Sequence, residues 1–209
     1  NAFTRLKFSR LVRAFSLWRV EMTEHYSPAL LYRKEVILIA INAGKQFETD
    51  WKNSVNKLPD VWYYRLKDNA ASFASGENTR FASHNMCDCL VLDDKSKTLY
   101  CLEQKSTKGT SIPLSMIRKN QINELTDASE HNLIAGFLFN FRTKNNDTYF
   151  MRIQEFNKMI SEIGKKSFNQ KDLSKYNTVR VQSRIKKVNY SYDVKQFIKD
   201  TCEVNNVLQ

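Results

Sequence analysis

The pattern of apolar and polar positions changes near residue 40. Before that point, aromatic residues and arginines alternate without a sustained helical or strand period. Beyond it, Phe47, Trp51 and Val55 recur every four residues, which predicts an amphipathic helix. We therefore predict two regions: a poorly specified N-terminal extension over residues 1–40, and one domain over residues 41–209.

The middle of the chain carries apolar runs of strand length, separated by polar turns and amphipathic stretches. The pattern predicts a strand over 61–66, a long polar loop over 69–85, a hairpin over 87–92 and 98–104, a helix over 115–128, strands over 133–141 and 148–153, and a helix over 156–163. Strands that alternate with helices in this order predict an α/β fold with a mixed β-sheet flanked by helices.

The charge of the chain favours a polyanionic partner. Its 33 Lys and Arg residues exceed its 22 Asp and Glu residues and leave a formal net charge of +11, a field that attracts nucleic acid. A solvated basic surface is the alternative. The longest apolar run, residues 36–41, is far shorter than the roughly 20 residues that span a bilayer. We therefore expect a cytoplasmic protein that does not bind membranes.

One constellation of charged residues lies inside the predicted hairpin. Residues two apart in a strand share a face, so Glu103 and Lys105 project together, and the paired strand brings Asp88 beside them. Two carboxylates beside a lysine suit Mg²⁺, which neutralises charge on a phosphate and lowers the pKa of bound water. The alternative is a structural Glu103–Lys105 pair at a strand edge, with Asp88 capping a turn.

Several short motifs follow one another in a fixed order: Gly44–Glu48, Asp88, Glu103–Thr107, Ser111–Leu114 and Asn120–Gln121. In this order they resemble the motifs of RecU-type Holliday junction resolvases. The resemblance implies a restriction-endonuclease-like fold and a homodimer. It also implies an endonuclease that nicks opposed strands of four-way DNA junctions in recombination and repair, with Mg²⁺ as cofactor and Mn²⁺ as a substitute.

The resemblance also assigns roles to individual residues. Asp88 and Glu103 would ligate the metal, and Lys105 would position the nucleophile. Glu48 would be the helical acid of the site, and Gln121 would be the glutamine on the helix that follows the catalytic strands. All five are therefore predicted catalytic residues.

Two further residues are candidate phosphate contacts. Arg80 precedes Asp88 in the predicted loop, and Lys108 follows the catalytic strand; for both, a plain solvated charge is the alternative. The chain departs from the family pattern by having Asn120 where the family has His, and by lacking a proline-bearing stalk in residues 62–85. A restriction-like or repair nuclease acting on other DNA, and a non-catalytic basic DNA-binding module, therefore stay open as alternatives.

Overall fold

A computed structural model describes residues 43–66 and 85–208, with side chains as far as residue 203. These residues all belong to one compact unit, Ala43–Gln209. The extension predicted over residues 1–40 and nearly all of the predicted polar loop lie outside the described residues. Within the described ranges, none of the helices combines the length and the apolar character that crossing a membrane requires.

Helices and short strands alternate along the described chain. The helices are α1 (residues 43–55), α2 (Lys119–Glu130), α3 (Ile153–Glu162), α4 (Gln170–Leu173) and α5 (Val194–Leu208), with a 3₁₀ turn at Leu114–Met116. The strands are β1 (Val61–Arg65), β2 (Cys89–Asp93), β3 (Thr98–Thr107), β4 (Ser111–Pro113), β5 (Ile134–Phe141), β6 (Asp147–Arg152), β7 (Ser167–Asn169), β8 (Thr178–Val181), β9 (Ser183–Lys186) and β10 (Asn189–Tyr192).

Six strands form the central sheet in the order β1-β2-β3-β5-β6-β8. The pair β3–β5 is parallel, whereas the other four pairs are antiparallel. The strands β4 and β7 form a separate small sheet, and β9 and β10 form a hairpin. The prediction of an α/β fold with a mixed sheet flanked by helices is thus confirmed.

Each face of the sheet has its own apolar core. On one face, Phe47 and Trp51 of α1 and Phe197 of α5 pack against the sheet. On the other face, α2 and α3 cover a second cluster of buried apolar residues. Alternate residues of β3 point to opposite faces, with Leu102 in the first core and Cys101 in the second. Glu103 and Lys105 therefore lie on the face that α2 covers.

The predicted helices and strands that fall within the described residues are found in the structure, but two of the helices start at other residues. The helix predicted from residue 115 begins at Lys119, because a 3₁₀ turn precedes it and Ile117 is extended. The helix predicted from residue 156 begins at Ile153, directly after β6. The helices α4 and α5 and the strands β4 and β7–β10 were not predicted. These strands span only three or four residues each. Such short strands have too few positions to show a period.

Gly136 on β5 leaves no space for a side chain. A Cβ atom there would lie 2.2 Å from the Met151 carbonyl oxygen and 2.9 Å from the Phe150 ring. We expect Gly136→Ala to lower the free energy of unfolding by about 3 kcal/mol, because an overpacked core forces backbone shifts. As a control, Gly44→Ala on α1 adds a Cβ that meets nothing within 4 Å and should be neutral or stabilising. Urea denaturation of both variants measures the difference, and equal effects would contradict the prediction.

Candidate active site

The hairpin of β2 and β3 places Asp88 opposite Glu103. Cys89 pairs with Leu102 in the register of these strands, and the Asp88 backbone N–H donates to the Leu102 carbonyl at 3.2 Å. The Asp88 carboxylate accepts a hydrogen bond of 2.7 Å from the Gln104 backbone N–H. Asp88 is therefore fixed by its neighbouring strand at the level of Glu103.

Glu103 is the buried centre of the cluster, with 3% of its surface exposed. Its Oε1 atom accepts a hydrogen bond from Lys105 Nζ at 2.9 Å and a second, short one from Gln121 Nε2. The Gln121 Oε1 atom in turn accepts from the Arg118 backbone N–H at 3.0 Å. The first turn of α2 is thereby tied to the carboxylate on β3.

The environment of Glu103 disfavours its ionised form. Burial raises the pKa of Glu103 to about 7, and the negative charge of Asp88 acts in the same direction, whereas Lys105 and Arg118 oppose the shift. Two carboxylates therefore face each other, and the positive charges of Lys105 and Arg118 do not fully offset the cost of ionising Glu103. A further cation at this position would stabilise both of them.

The residues present fit a hard divalent cation. Asp88 and Glu103 would hold it, because carboxylate oxygens are the ligands that Mg²⁺ prefers. The described residues contain no cluster of three or more His, Cys, Asp or Glu side chains suited to metal binding. Two protein carboxylates are a usual complement for Mg²⁺, which keeps several water ligands and takes others from a substrate phosphate.

The structure brings four of the five predicted catalytic residues together: Asp88, Glu103, Lys105 and Gln121. Glu48 is on helix α1, whose Phe47 and Trp51 pack on the other face of the sheet. Glu48 forms an ion pair with Arg65 of β1. Arg65 aligns with Cys89, the residue that follows Asp88, and the catalytic role of Glu48 stays a prediction.

Of the two predicted phosphate contacts, Lys108 lies in the described part of the chain and Arg80 does not. Lys108 is exposed in the turn that follows β3. Arg80 lies outside the described residues. A basic residue that the sequence analysis did not single out, Arg118, lies exposed at the N-terminal end of α2, close enough for its charge to act on the Glu103 pKa. The sequence signal that could have identified Arg118 is its position three residues before Gln121.

The structural alternative for the Glu103–Lys105 pair does not hold as stated. The pair exists, but β3 is an interior strand that lies between β2 and β5, so it is not at a sheet edge. Asp88 binds the backbone of β3 rather than capping a turn. The pair is almost fully buried, with side-chain exposures of 13% and 4%, and the cost of removing two charges from water often exceeds the gain from their attraction.

The raised pKa of Glu103 predicts a pH-dependent stability in protein free of divalent metal. Because the folded-state pKa lies above the ordinary value of 4.5, the folded state binds more protons than the unfolded state between these values. The stability contributed by the protonated carboxyl is present at low pH and is lost as pH rises through about 7. Glu103→Gln, which mimics the protonated form, should therefore stabilise the protein at pH 8 by on the order of 2 kcal/mol and by much less at pH 5.

Thermal or urea unfolding in the presence of a chelator measures this difference. As a control, Glu130→Gln removes the same charge from an exposed position on α2 and should change stability by less than about 0.5 kcal/mol at either pH. A Glu103→Gln variant that is no more stable than the wild type at pH 8 would contradict the predicted effect of burial.

The chain is similar to one protein family, to one curated protein and to a solved structure. The family model described as Recombination protein U matches residues 81–197. A prophage-derived uncharacterized protein, YotM of Bacillus subtilis (strain 168), is 34% identical over 168 residues, which cover 73% of this chain and 83% of the relative. Among solved structures, Hjc of Archaeoglobus fulgidus, a Holliday junction resolvase, matches with a TM-score of 0.40 and 16% identity over 64% of this chain and 93% of that one. On the family match, which covers more than half of its length, the chain belongs to the RecU family.

Proposed function

We propose that this RecU-family chain is a Mg²⁺-dependent endonuclease that resolves four-way DNA junctions by paired nicks. The observation that carries the proposal is the placement of Asp88 opposite the buried Glu103, with the Lys105 ammonium 2.9 Å from the Glu103 carboxylate. This is a donor set for a divalent cation with a positive charge beside it.

The residues of the cluster divide the chemistry between them. Asp88 and Glu103 would hold Mg²⁺, or Mn²⁺ in its place, which when bound neutralises charge on the scissile phosphate and lowers the pKa of a bound water. Lys105 orients the attacking water and stabilises negative charge on the phosphate. Gln121 acts as a positioning residue, because it holds the Glu103 carboxylate from the side of α2.

Basic residues around the cluster would hold the DNA backbone. Arg118 and Lys108 are exposed near the two ends of the loop region that joins β3 to α2. Arg80 stays a predicted phosphate contact of the same kind. Because neutralised phosphates release condensed counterions, binding should weaken steeply as salt concentration rises.

A homodimer supplies the second active site that two opposed nicks require. In the described part of the chain, β1 is an end strand of the sheet. Its Trp62 and Tyr64 side chains are 48% and 46% exposed and stack with ring centroids 5.6 Å apart. Large aromatic side chains of this kind are enriched at protein interfaces, which supports β1 as the surface that a second copy covers.

Asp88→Asn tests the cleavage proposal. Asn keeps an oxygen that can accept from the Gln104 N–H, so the fold should persist, while the loss of one metal-binding carboxylate should lower the cleavage rate by at least about 100-fold. Junction affinity should be retained or improved, because a negative charge is removed near phosphates. Labelled four-way and linear DNA, incubated with and without Mg²⁺, measure both properties.

The matched control is Asp94→Asn, which removes an exposed carboxylate in the β2–β3 turn and should leave cleavage unchanged. Wild-type protein that binds DNA but does not cut it with Mg²⁺ or Mn²⁺ would favour the non-catalytic module. Equal cutting of linear duplex and junction would favour a nuclease with another DNA target.

The dimer proposal predicts a monomeric variant. Trp62→Glu combined with Tyr64→Glu places charge on the exposed face of β1 and should shift the protein from dimer to monomer in sedimentation experiments, with unchanged circular dichroism. Ile185→Glu alters another exposed apolar residue and should leave the dimer intact. A wild-type monomer that still nicks both strands symmetrically would contradict the proposal.

A further inference from the structure

The hairpin formed by β9 and β10 is strongly basic. It spans residues 183–192 and contains Arg184, Lys186 and Lys187 but no acidic residue. All three basic side chains are exposed, and the ion pairs found among the described residues do not include them. Their charges are therefore available to an anionic partner.

The tip of the hairpin is apolar and conformationally unusual. Lys186 pairs with Asn189, so Lys187 and Val188 form a two-residue turn. Lys187 has a φ of 59°, a conformation that costs a residue other than glycine about 1 kcal/mol. Val188 and Ile185 are 75% and 64% exposed. Basic arms with exposed apolar side chains are typical of proteins that enter a DNA groove.

The base of the hairpin is fixed to the rest of the domain. Asn146 Nδ2 donates to Ser183 Oγ at 3.1 Å and to the Tyr192 hydroxyl at 3.2 Å. The Tyr192 backbone N–H donates to Ser54 Oγ at 2.9 Å. The Arg142 guanidinium lies 5.2 Å from the centroid of the Tyr190 ring. A rigid base lowers the ordering cost of binding through the tip.

The hairpin leaves the sheet at the same level along the strands as the catalytic lysine. Val181 at the end of β8 aligns with Thr148, Thr148 aligns with Asn140, and Asn140 aligns with Ser106. Ser106 directly follows Lys105. Because β3 and β8 are three strand spacings apart in the sheet, about 14 Å separates them. One DNA duplex lying across this end of the sheet can therefore reach both.

A groove beside the hairpin adds further positive charge. Its volume is about 340 Å³, and its lining includes Lys57, Arg184 and Lys195. Asp193 is the one acidic residue in the lining, and its carboxylate accepts the Gln196 backbone N–H. The local charge thus favours a phosphate.

We propose that the β9–β10 hairpin is a DNA-binding β-ribbon, separate from the cleavage residues, that holds one arm of the substrate. Arg184, Lys186 and Lys187 contact backbone phosphates, and Val188 packs into a groove of the duplex. This inference rests on the proposed function, since it names how the same substrate is held.

The charged part of the hairpin is tested by Lys186→Ala combined with Lys187→Ala. Affinity for a labelled four-way junction is measured by fluorescence anisotropy over a range of salt concentrations. The protein also carries Asp88→Asn, so that the DNA stays intact during the measurement. We expect affinity to fall by about tenfold, and the slope of log K against log salt to decrease by about 2, because each lost phosphate contact removes about 0.9. Cleavage at saturating DNA, measured without the Asp88→Asn change, should be unaltered.

The matched control removes two other exposed charges, by Lys158→Ala combined with Lys171→Ala. Thermal unfolding checks that both double variants fold. An unchanged affinity and slope in the hairpin variant would overturn the proposal, as would an equal loss in the control, which would show an effect of net charge alone.

The apolar tip is tested by Val188→Ser. Apolar contact releases no counterions, so we expect weaker junction binding, by about threefold, with an unchanged salt slope. Affinity equal to that of the wild type, or a change in oligomeric state in its place, would overturn the role of the tip. Wild-type protein that fails to bind any DNA would instead defeat the proposed function, so the two failures are distinguishable.

Discussion

The arrangement of this domain depends on one buried carboxylate. Glu103 lies in the interior strand β3, and Asp88 adds a second negative charge from the adjacent strand. A buried charge is tolerated only where hydrogen bonds and opposite charges compensate for lost hydration. Lys105 and Gln121 both donate to the same Glu103 oxygen, so the start of α2 has to lie over this point of β3. The cost of burial is therefore offset in part by contacts that join β3 to the first turn of α2.

The sequence allowed the centre of the site to be predicted, because its members are local. Asp88, Glu103 and Lys105 belong to one hairpin, and strand alternation alone fixes which of them share a face. Gln121 was harder to place, because its contact with Glu103 depends on where α2 begins. Helix α2 starts at Lys119 because Ile117 and Arg118 are extended. The spacing of apolar residues in the sequence does not indicate this start.

Glu48 shows what a local pattern can predict and what it cannot. Its position on an amphipathic helix was predicted, but the face of the sheet on which that helix packs is a tertiary property. Phe47 and Trp51 take the helix to the face opposite Glu103. The tail was missed for a different reason, since short strands such as β8 and β9 gain their stability from neighbours distant in sequence rather than from their own pattern.

A buried polar network connects β3, next to Lys105, to the tail of the domain. Asn140, fully buried, accepts from Ser106 and donates to Asn146 and Thr148, and Asn146 reaches Ser183 at the base of the hairpin. Unsatisfied members of such a network would each cost free energy, so its geometry is tightly specified. The strand that carries Lys105 and the basic hairpin are consequently held in a fixed relation. In the proposed function, DNA held by the hairpin would be positioned relative to Lys105 by the same hydrogen bonds that position β3.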